Sequence, residues 1–255
     1  MAAFPAVVQS EWTKVRSIRS TVWTLVVTFL IVVAMGFTIS LLTKLNYDQF
    51  TEHNTAPFDA TTTSLAGISL GELAIVVFGV LAVGNEYASG MIRVSLAAVP
   101  QRGVLMGAKT AVLGVLAFLV SLVTVFVAFF LGQAALGQYS TGLGEPHVLR
   151  AVFGAACYLT LLCLFSIGVT MMLRNQVLSL GILIPFFFLV SPILSIVPKV
   201  KDVVRYFPDR AGSAALQVYP TGDHPYGPWT GLLICAAWAA AALLGGYLVL
   251  KKRDA

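Results

Sequence analysis

The chain has 255 residues, of which 58% are hydrophobic and only 11% are charged, whereas soluble domains average about 25% charged residues. A soluble fold of this size could not hide so much apolar surface behind so few charges. The composition therefore excludes an ordinary soluble domain and a disordered protein, and the scattered net charge of +5 excludes a nucleic-acid-binding protein.

The first 21 residues have the pattern of an amphipathic helix. Apolar side chains recur at one helical face, and they are Phe4, Val8, Trp12 and Val15. Lys14 and Arg16 lie elsewhere on the helical wheel and form a basic rim, while Pro5 suits a first helical turn. An apolar face with a tryptophan and a basic rim predicts a helix lying on the inner leaflet. The alternative is a simple anchor for the first span.

Six stretches are long and apolar enough to cross a bilayer, which takes about 20 residues of helix. The predicted spans are residues 22–42, 65–84, 110–131, 151–173, 177–197 and 229–250. Their continuous apolar character is unlike the alternating, roughly 10-residue strands of a membrane barrel. We therefore predict an all-α polytopic membrane protein in which residues 1–255 form one transmembrane domain. The first span is too long for a cleavable signal peptide and lacks a cleavage site.

Lysine and arginine counts near the predicted span ends set the orientation. With the N terminus inside, ten of the sixteen basic residues fall on the inner side. Four of the six outer ones lie in a single long loop, where the rule is weaker. Both termini are predicted to be cytoplasmic.

The predicted cytoplasmic loop, residues 85–109, is longer than a simple connection requires. A short helix ending before Pro100 is expected, because the residue before a proline avoids the helical region. Its two predicted faces are Tyr87, Met91, Val94 and Ala98 on one side, and Glu86 with Arg93, seven residues apart, on another. Such an element indicates a docking surface, with a lipid-facing interfacial helix as the alternative.

Prolines shape the last third of the chain. Pro185 and Pro192 predict a kink or break in the fifth span. The extracytoplasmic loop 198–228 is predicted to contain a short helix, with Val200, Val203, Val204 and Phe207 on one face, that is interrupted from Pro208 onward.

Glu72 is the only formal charge inside a predicted span. A carboxylate at the bilayer centre costs about 2.5 kcal/mol or more on insertion scales. Glu72 is therefore expected to face the bundle, a partner or water, or to carry a proton. It is either a substrate or proton site in the outer half of the span, or an interfacial residue if the span starts later.

Catalytic and metal-binding patterns are weak. Residues 67–71 match the G-x-S-x-G hydrolase pattern, but that motif needs a strand–turn–helix context and an activating histidine. At the start of a span, close helix packing explains the small residues better. Residues 103–110 miss the phosphate-loop pattern because Ala108 precedes Lys109. No nucleotide, metal or other cofactor site is therefore expected in this chain.

The cysteines and histidines give no stronger signal. Cys157, Cys163 and Cys235 fall within spans and are expected to act as small hydrophobic residues. His53, His147 and His224 lie in outer loops at spacings that match no metal pattern, and a zinc site built from all three is a minor alternative.

Four segments resemble the permease subunits of ABC-2 type transporters. Residues 10–17 (SEWTKVRS) resemble the N-terminal segment of that family, and residues 84–93 (GNEYASGMIR) resemble its E-Y-x-x-G-x-x-R feature. Residues 96–102 (LAAVPQR) and 206–216 (YFPDRAGSAAL) continue the likeness. The resemblance extends over the whole chain, including six spans with both ends inside.

The resemblance implies a type V exporter-like permease in a bacterial plasma membrane. Two permease chains, identical or paralogous, would pair, and each would dock on a separate ATP-binding-cassette subunit that binds ATP and magnesium. The docking residues implied are Glu86, Tyr87, Gly90, Met91, Arg93, Pro100 and Arg102. The N-terminal amphipathic helix would lie beside them, and Phe207 and Pro208 would help to gate the exit.

The leading hypothesis is an exporter subunit that moves an apolar or amphipathic compound, such as a drug, an antibiotic or a lipid. It would contain no catalytic residue of its own. The alternatives are an ion-coupled secondary transporter that uses Glu72 and, third, an intramembrane enzyme, which the lack of a histidine inside any span disfavours.

Overall fold

The computed structural model describes residues 4–17, 19–47, 58–219 and 225–252, and these residues contain helices but no β-strand. In chain order the helices are α1 (Phe4–Ser17), α2 (Arg19–Leu45), α3 (Ala60–Ser64), α4 (Ile68–Ala88), α5 (Met91–Ala98), α6 (Arg102–Leu136), α7 (Val148–Leu173), α8 (Gln176–Pro185), α9 (Ser191–Ile196), α10 (Lys201–Val204), α11 (Pro208–Ser213) and α12 (Pro228–Lys252). A π-helical turn, Phe186–Val190, joins α8 to α9, and 3₁₀ turns lie at Gly137–Tyr139 and Ala214–Leu216.

Within the described part of the chain, six helical segments are long and apolar enough to cross a bilayer: α2, α4, α6, α7, α8 with α9, and α12. The chain is therefore a multi-pass helical membrane protein. Its outer surface agrees with this, because large apolar side chains such as Trp23 and Leu233 are more than 60% exposed. In water, so large an exposed apolar surface would promote aggregation, whereas its contact with lipid costs little free energy.

Helix α6 departs most from the predicted boundaries. It starts at Arg102, eight residues before the predicted span, and runs for 35 residues, which corresponds to about 52 Å. That length exceeds the roughly 30 Å of hydrocarbon. The predicted loop 85–109 is therefore mostly helix: α4 continues to Ala88, α5 follows, and residues 102–109 belong to α6. No proline follows Pro100 in this stretch to stop the helix.

Helix α7 lies at the centre of the bundle and packs against α4, α6 and α12. Its contact with α12 is close because Gly168 faces α12, where a Cβ would lie 2.5 Å from the backbone carbon of Ala242. Small residues permit such approaches between membrane helices.

The glycines of the G-x-S-x-G pattern also serve helix packing. A Cβ on Gly67 would lie 2.2 Å from the carbonyl oxygen of Val32, and one on Gly71 would lie 2.2 Å from Val32 Cγ2. The exposed Ser69 hydroxyl donates to the carbonyl of Ala66. The packing interpretation is therefore confirmed, and α2 and α4 meet at this pattern.

The predicted break in the fifth span is confirmed. Pro185 ends α8, and the chain continues through the π-helical turn into α9, where Pro192 occupies the first turn. A π turn of this kind is a recognised cause of a helix kink.

The bundle has two ends, which we name by their elements. The α1 end contains α1, α5, the Arg174–Asn175 turn and the C-terminal end of α12. The end of α12 lies there because Arg102, at the start of α6, donates to the Leu250 carbonyl. The far end contains α3, α10, α11 and the start of α12. At the far end, Gln133 donates to the Ala60 carbonyl at 3.0 Å and accepts from the Thr141 amide at 2.7 Å.

The predicted outer-loop helix is only partly correct. Helix α10 is a single turn, in which Val204 is buried and Val203 is exposed. Pro208 does not interrupt a helix but starts a new one, α11, since proline at a first helical position loses no internal hydrogen bond.

Candidate functional site

Helix α1 buries Glu11 against the protein and presents Phe4 and Trp12, its largest apolar side chains, to the outside. Val7 and Glu11 are buried, whereas Phe4 and Trp12 are about half exposed, and Val8 is half-buried. Phe4 and Trp12 of the predicted apolar face therefore lie on the exterior of α1, as expected for contact with lipid, whereas Val8 and Val15 pack against the buried core. The sequence did not indicate that the opposite face buries a carboxylate.

Four charged side chains meet where α1, α4 and α6 converge. We call this group, Glu11, Lys14, Glu86 and Lys109, the charge cluster. Lys109 Nζ lies 2.5 Å from Glu11 Oε2 and 2.5 Å from Glu86 Oε1. Lys14 Nζ lies 2.6 Å from Glu11 Oε1 and 3.6 Å from Glu86 Oε1. Two carboxylates and two ammonium groups balance in formal charge.

The charge cluster is almost inaccessible to water. Glu11, Glu86 and Lys109 are 2–3% exposed. Burial acts to raise the pKa of Glu11, but the ammonium groups of Lys109 and Lys14 outweigh it and hold that pKa below its usual value of 4.5. The second oxygen of Glu86, Oε2, has no hydrogen-bond partner among the described residues. Removing a single member of such a group would leave a buried charge uncompensated.

Lys14 extends the charge cluster to α5. Its Nζ donates to Ser95 Oγ at 2.8 Å, and Ser95 is buried. Gly90 separates α4 from α5 with φ 70°, in the left-handed region that glycine adopts freely. The glycine of the E-Y-x-x-G-x-x-R segment therefore turns the chain, and the short helix begins only at Met91.

This turn corrects the prediction that Glu86 and Arg93 share one helix face. Glu86 belongs to the end of α4 and points into the bundle, whereas Arg93 lies on α5 and is exposed. The sequence spacing misled because it assumes an unbroken helix across Gly90.

Helix α5 presents an exposed apolar face at the α1 end. Met91 is 41% exposed and Val94 is 69% exposed, and Ala98 is exposed as well. Ile92 and Ser95 are the buried side of the helix. Pro100 follows at the surface, and Tyr87 is half-buried on α4. Of the predicted docking residues, Met91, Arg93 and Pro100 are therefore available at the surface.

Two arginines hold the C-terminal end of α12. Arg102 Nη1 donates to the carbonyls of Leu250, at 2.5 Å, and Lys251, at 3.2 Å, and Arg174 Nη2 donates to the Val249 carbonyl at 2.9 Å. Cationic donors satisfy the free carbonyls that end a helix and complement its dipole. Arg102, a predicted docking residue, is thus engaged within the chain. Arg16 is exposed on α1.

Glu72 lies in the first turns of α4, toward the far end, and accepts a hydrogen bond from Tyr158 Oη on α7 at 2.5 Å. Tyr158 is fully buried. The carboxylate faces the bundle, as the insertion cost predicts, and it lines a cavity between α4, α7 and α11.

The predicted gate residues lie beside the π-helical turn. The ring centroids of Phe207 and Phe186 are 5.3 Å apart, and Pro208 is buried at the start of α11. The break in the fifth span is therefore in direct contact with the residue that leads into α11.

The three cysteines are free thiols, two buried and one half-buried, as predicted. His53 and His224 lie outside the described residues, so the structure does not test the three-histidine zinc alternative. Within the described residues, no group of three or more histidine, cysteine or acidic side chains could hold a metal ion.

Sequence reasoning missed several of the residues that form these two regions. The sequence pattern indicates no role for Glu11 or Tyr158. Lys109 appears only in the near-match to the phosphate-loop pattern, and Asp209 only in the segment 206–216 that resembles ABC-2 permeases. A usable hint was that Glu86 and Lys109 are charges next to long apolar runs, where unpaired charges are costly.

A comparison of the sequence with protein-family models finds no matching family, and a comparison with curated proteins finds no matching relative.

Proposed function

We propose that the chain is the membrane-spanning permease subunit of an ABC-2 type exporter. In this account it lies in a bacterial plasma membrane with both termini in the cytoplasm, so that the α1 end is cytoplasmic. A separate ATP-binding-cassette subunit hydrolyses ATP, and a second permease chain completes the pathway. The compound exported is apolar or amphipathic.

The observation that carries the proposal is the anchored, exposed helix α5. Its outer face has Met91, Arg93 and Val94 at the surface, while its inner face is tied through Ser95 and Lys14 to the charge cluster. A force applied to α5 would reach α1, α4 and α6 through short ionic contacts, not through a flexible loop. Rigid elements that move as units are what alternating access requires.

The charge distribution supports the orientation. Lys109 and Lys14 are held inside the bundle, but Arg93, Arg16 and the terminal Lys251 and Lys252 are exposed at the α1 end. Positively charged residues at that end agree with a cytoplasmic location.

Ion-coupled secondary transport is the second candidate, and the Glu72–Tyr158 hydrogen bond favours it. A buried carboxylate within a span is a common proton site. In that account Glu72→Gln abolishes transport and removes its pH dependence, and no ATPase is needed.

Reconstituted transport distinguishes the two candidates. The full chain is placed in proteoliposomes with and without the ATPase that copurifies with it, and efflux is followed in the presence of ATP or of a proton gradient. We expect efflux only with ATPase and ATP together. Efflux driven by the proton gradient in the chain alone would overturn the exporter proposal and support the second candidate.

A further inference from the structure

A cavity of about 510 Å³ lies near the far end, between α4, α7, the π-helical turn and α11. Its polar lining includes Glu72, Tyr158, Asp209 and Arg210 beside three hydroxyl side chains, and its apolar residues include Leu65, Leu70, Phe187 and Phe188. We call it the far-end cavity. Pockets that bind small molecules have about this size, with mostly apolar walls and a few convergent polar groups.

The charges of the far-end cavity do not balance. Arg210 Nε lies 3.4 Å from Asp209 Oδ2 and 3.3 Å from Ser191 Oγ, so its guanidinium compensates Asp209. Within the described residues, Glu72 forms no ion pair, and its hydrogen-bond partner is the neutral hydroxyl of Tyr158. Two carboxylates therefore face one cation, and with both ionised the cavity has one uncompensated negative charge.

Asp209 provides a second, independent observation. Asp209 is 5% exposed, and one of its oxygens, Oδ2, accepts from the Ser191 hydroxyl. The other oxygen, Oδ1, is buried and has no hydrogen-bond partner among the described residues. Burial raises the pKa of Asp209, against the opposing effects of Ser191 and Arg210. A buried acceptor without a partner is costly, and a ligand that supplies an N–H donor would satisfy it.

The exposed part of the cavity lining contains polar and apolar side chains, Thr62 and Ser69 as well as Leu70 and Phe188. Phe188 is 58% exposed and Leu70 is 36% exposed, and both line the cavity as well as the outer surface of the bundle. An apolar molecule can therefore reach the cavity from the membrane. Aromatic rings beside the entry also attract organic cations.

We propose that the far-end cavity binds an organic cation: a protonated amine whose N–H donors meet Asp209 and Glu72 and whose apolar body packs against Leu70, Phe187 and Phe188. The inference rests on the proposed export function and names its substrate class, an amphipathic cation in place of a neutral or anionic compound.

Binding to the purified full chain in lipid nanodiscs tests this without any ATPase. Rhodamine 123, a cation with amino groups, is compared by fluorescence polarisation with fluorescein, an anion built on the same ring system. We expect rhodamine 123 to bind and fluorescein to bind at least about tenfold more weakly, because a charge-assisted hydrogen bond contributes that much or more.

Four variants complete the test. Asp209→Asn and Glu72→Gln keep side-chain size, and each is expected to weaken rhodamine 123 binding about tenfold or more. Arg210→Gln removes the competing cation and is expected to tighten binding. Glu145→Gln, a charge loss at an exposed far-end position, should leave binding unchanged. Equal binding of both dyes, or undiminished binding in Asp209→Asn with no tightening in Arg210→Gln, would overturn the proposal.

Failure of this site and failure of the export function give different results. If the chain exports another compound with ATP, and Asp209→Asn leaves the rate of that efflux unchanged, the cation site is overturned and the export function stands. Rhodamine 123 binding with the expected variant pattern, in a chain that transports without ATPase, would support the cation site and overturn the export function.

Discussion

Lys109 Nζ lies 2.5 Å from Glu86 Oε1, and thereby joins the end of one membrane span to the beginning of the next across helix α5. The same nitrogen contacts Glu11 of α1. One buried ammonium group thus links α1, α4 and α6, alongside the longer contact of Lys14 with Glu86, and it joins the two helix ends between which α5 lies.

Lys109→Met should therefore destabilise the protein strongly. It leaves two buried carboxylates with only the partly exposed Lys14 as a partner, and removing one member of a buried ionic group costs about 3–5 kcal/mol. Thermal unfolding in detergent measures the change. Lys201→Met, at an exposed lysine on α10, is the control and should unfold like the wild type.

A combined variant separates charge from packing. Adding Glu11→Gln and Glu86→Gln to Lys109→Met removes the stranded charges, so most of the lost stability should return. If the triple variant is no more stable than Lys109→Met alone, the loss reflects packing and the ionic account is wrong.

The contribution of Glu11 to the free energy of unfolding should depend on pH. Its pKa in the folded protein lies below the unfolded value of 4.5, so the stabilisation is present above pH 4.5 and is lost as the pH falls through the folded pKa. Wild type should exceed Glu11→Gln in stability near pH 7, and the gap should narrow progressively below pH 4.5. Melting curves from pH 7 to pH 3 measure it, with Glu145→Gln as the control. A gap that stays constant or widens would contradict the assignment.

Gly67→Ala should disrupt the contact between α2 and α4. The new Cβ would lie 2.2 Å from the Val32 carbonyl oxygen, and relief of such overpacking typically costs about 1–3 kcal/mol or more. Gly181→Ala on α8 is the matched control, because a Cβ there has no atom within 4 Å among the described residues. Equal melting temperatures for the two variants would show that the α2–α4 contact is not tight.

The sequence predicted the six spans, the break at the two prolines and the amphipathic first helix, because each of these follows from local apolar pattern or backbone chemistry. It did not predict the partners of Glu11, Glu72 or Lys109. Those contacts join residues as much as 98 positions apart in the chain, and no periodicity within one helix records them. The prediction that Glu86 and Arg93 share a helix face was also wrong, because Gly90, with its positive φ, ends α4 and starts α5 in a new direction.

Copurification of the ATPase tests the central claim, that α5 docks an ATP-binding-cassette subunit, most directly. Tagged full chain is extracted from native membranes, and bound proteins are identified by mass spectrometry and by a G-x-x-x-x-G-K-[ST] motif. Val94→Asn is compared with Val177→Asn, a second exposed valine at the α1 end. We predict that an ATPase copurifies with the wild type and with Val177→Asn. With Val94→Asn the amount of ATPase recovered should fall about tenfold, which is equivalent to about 1.4 kcal/mol of binding free energy. Equal recovery with both variants, or no ATPase with the wild type, would contradict the account.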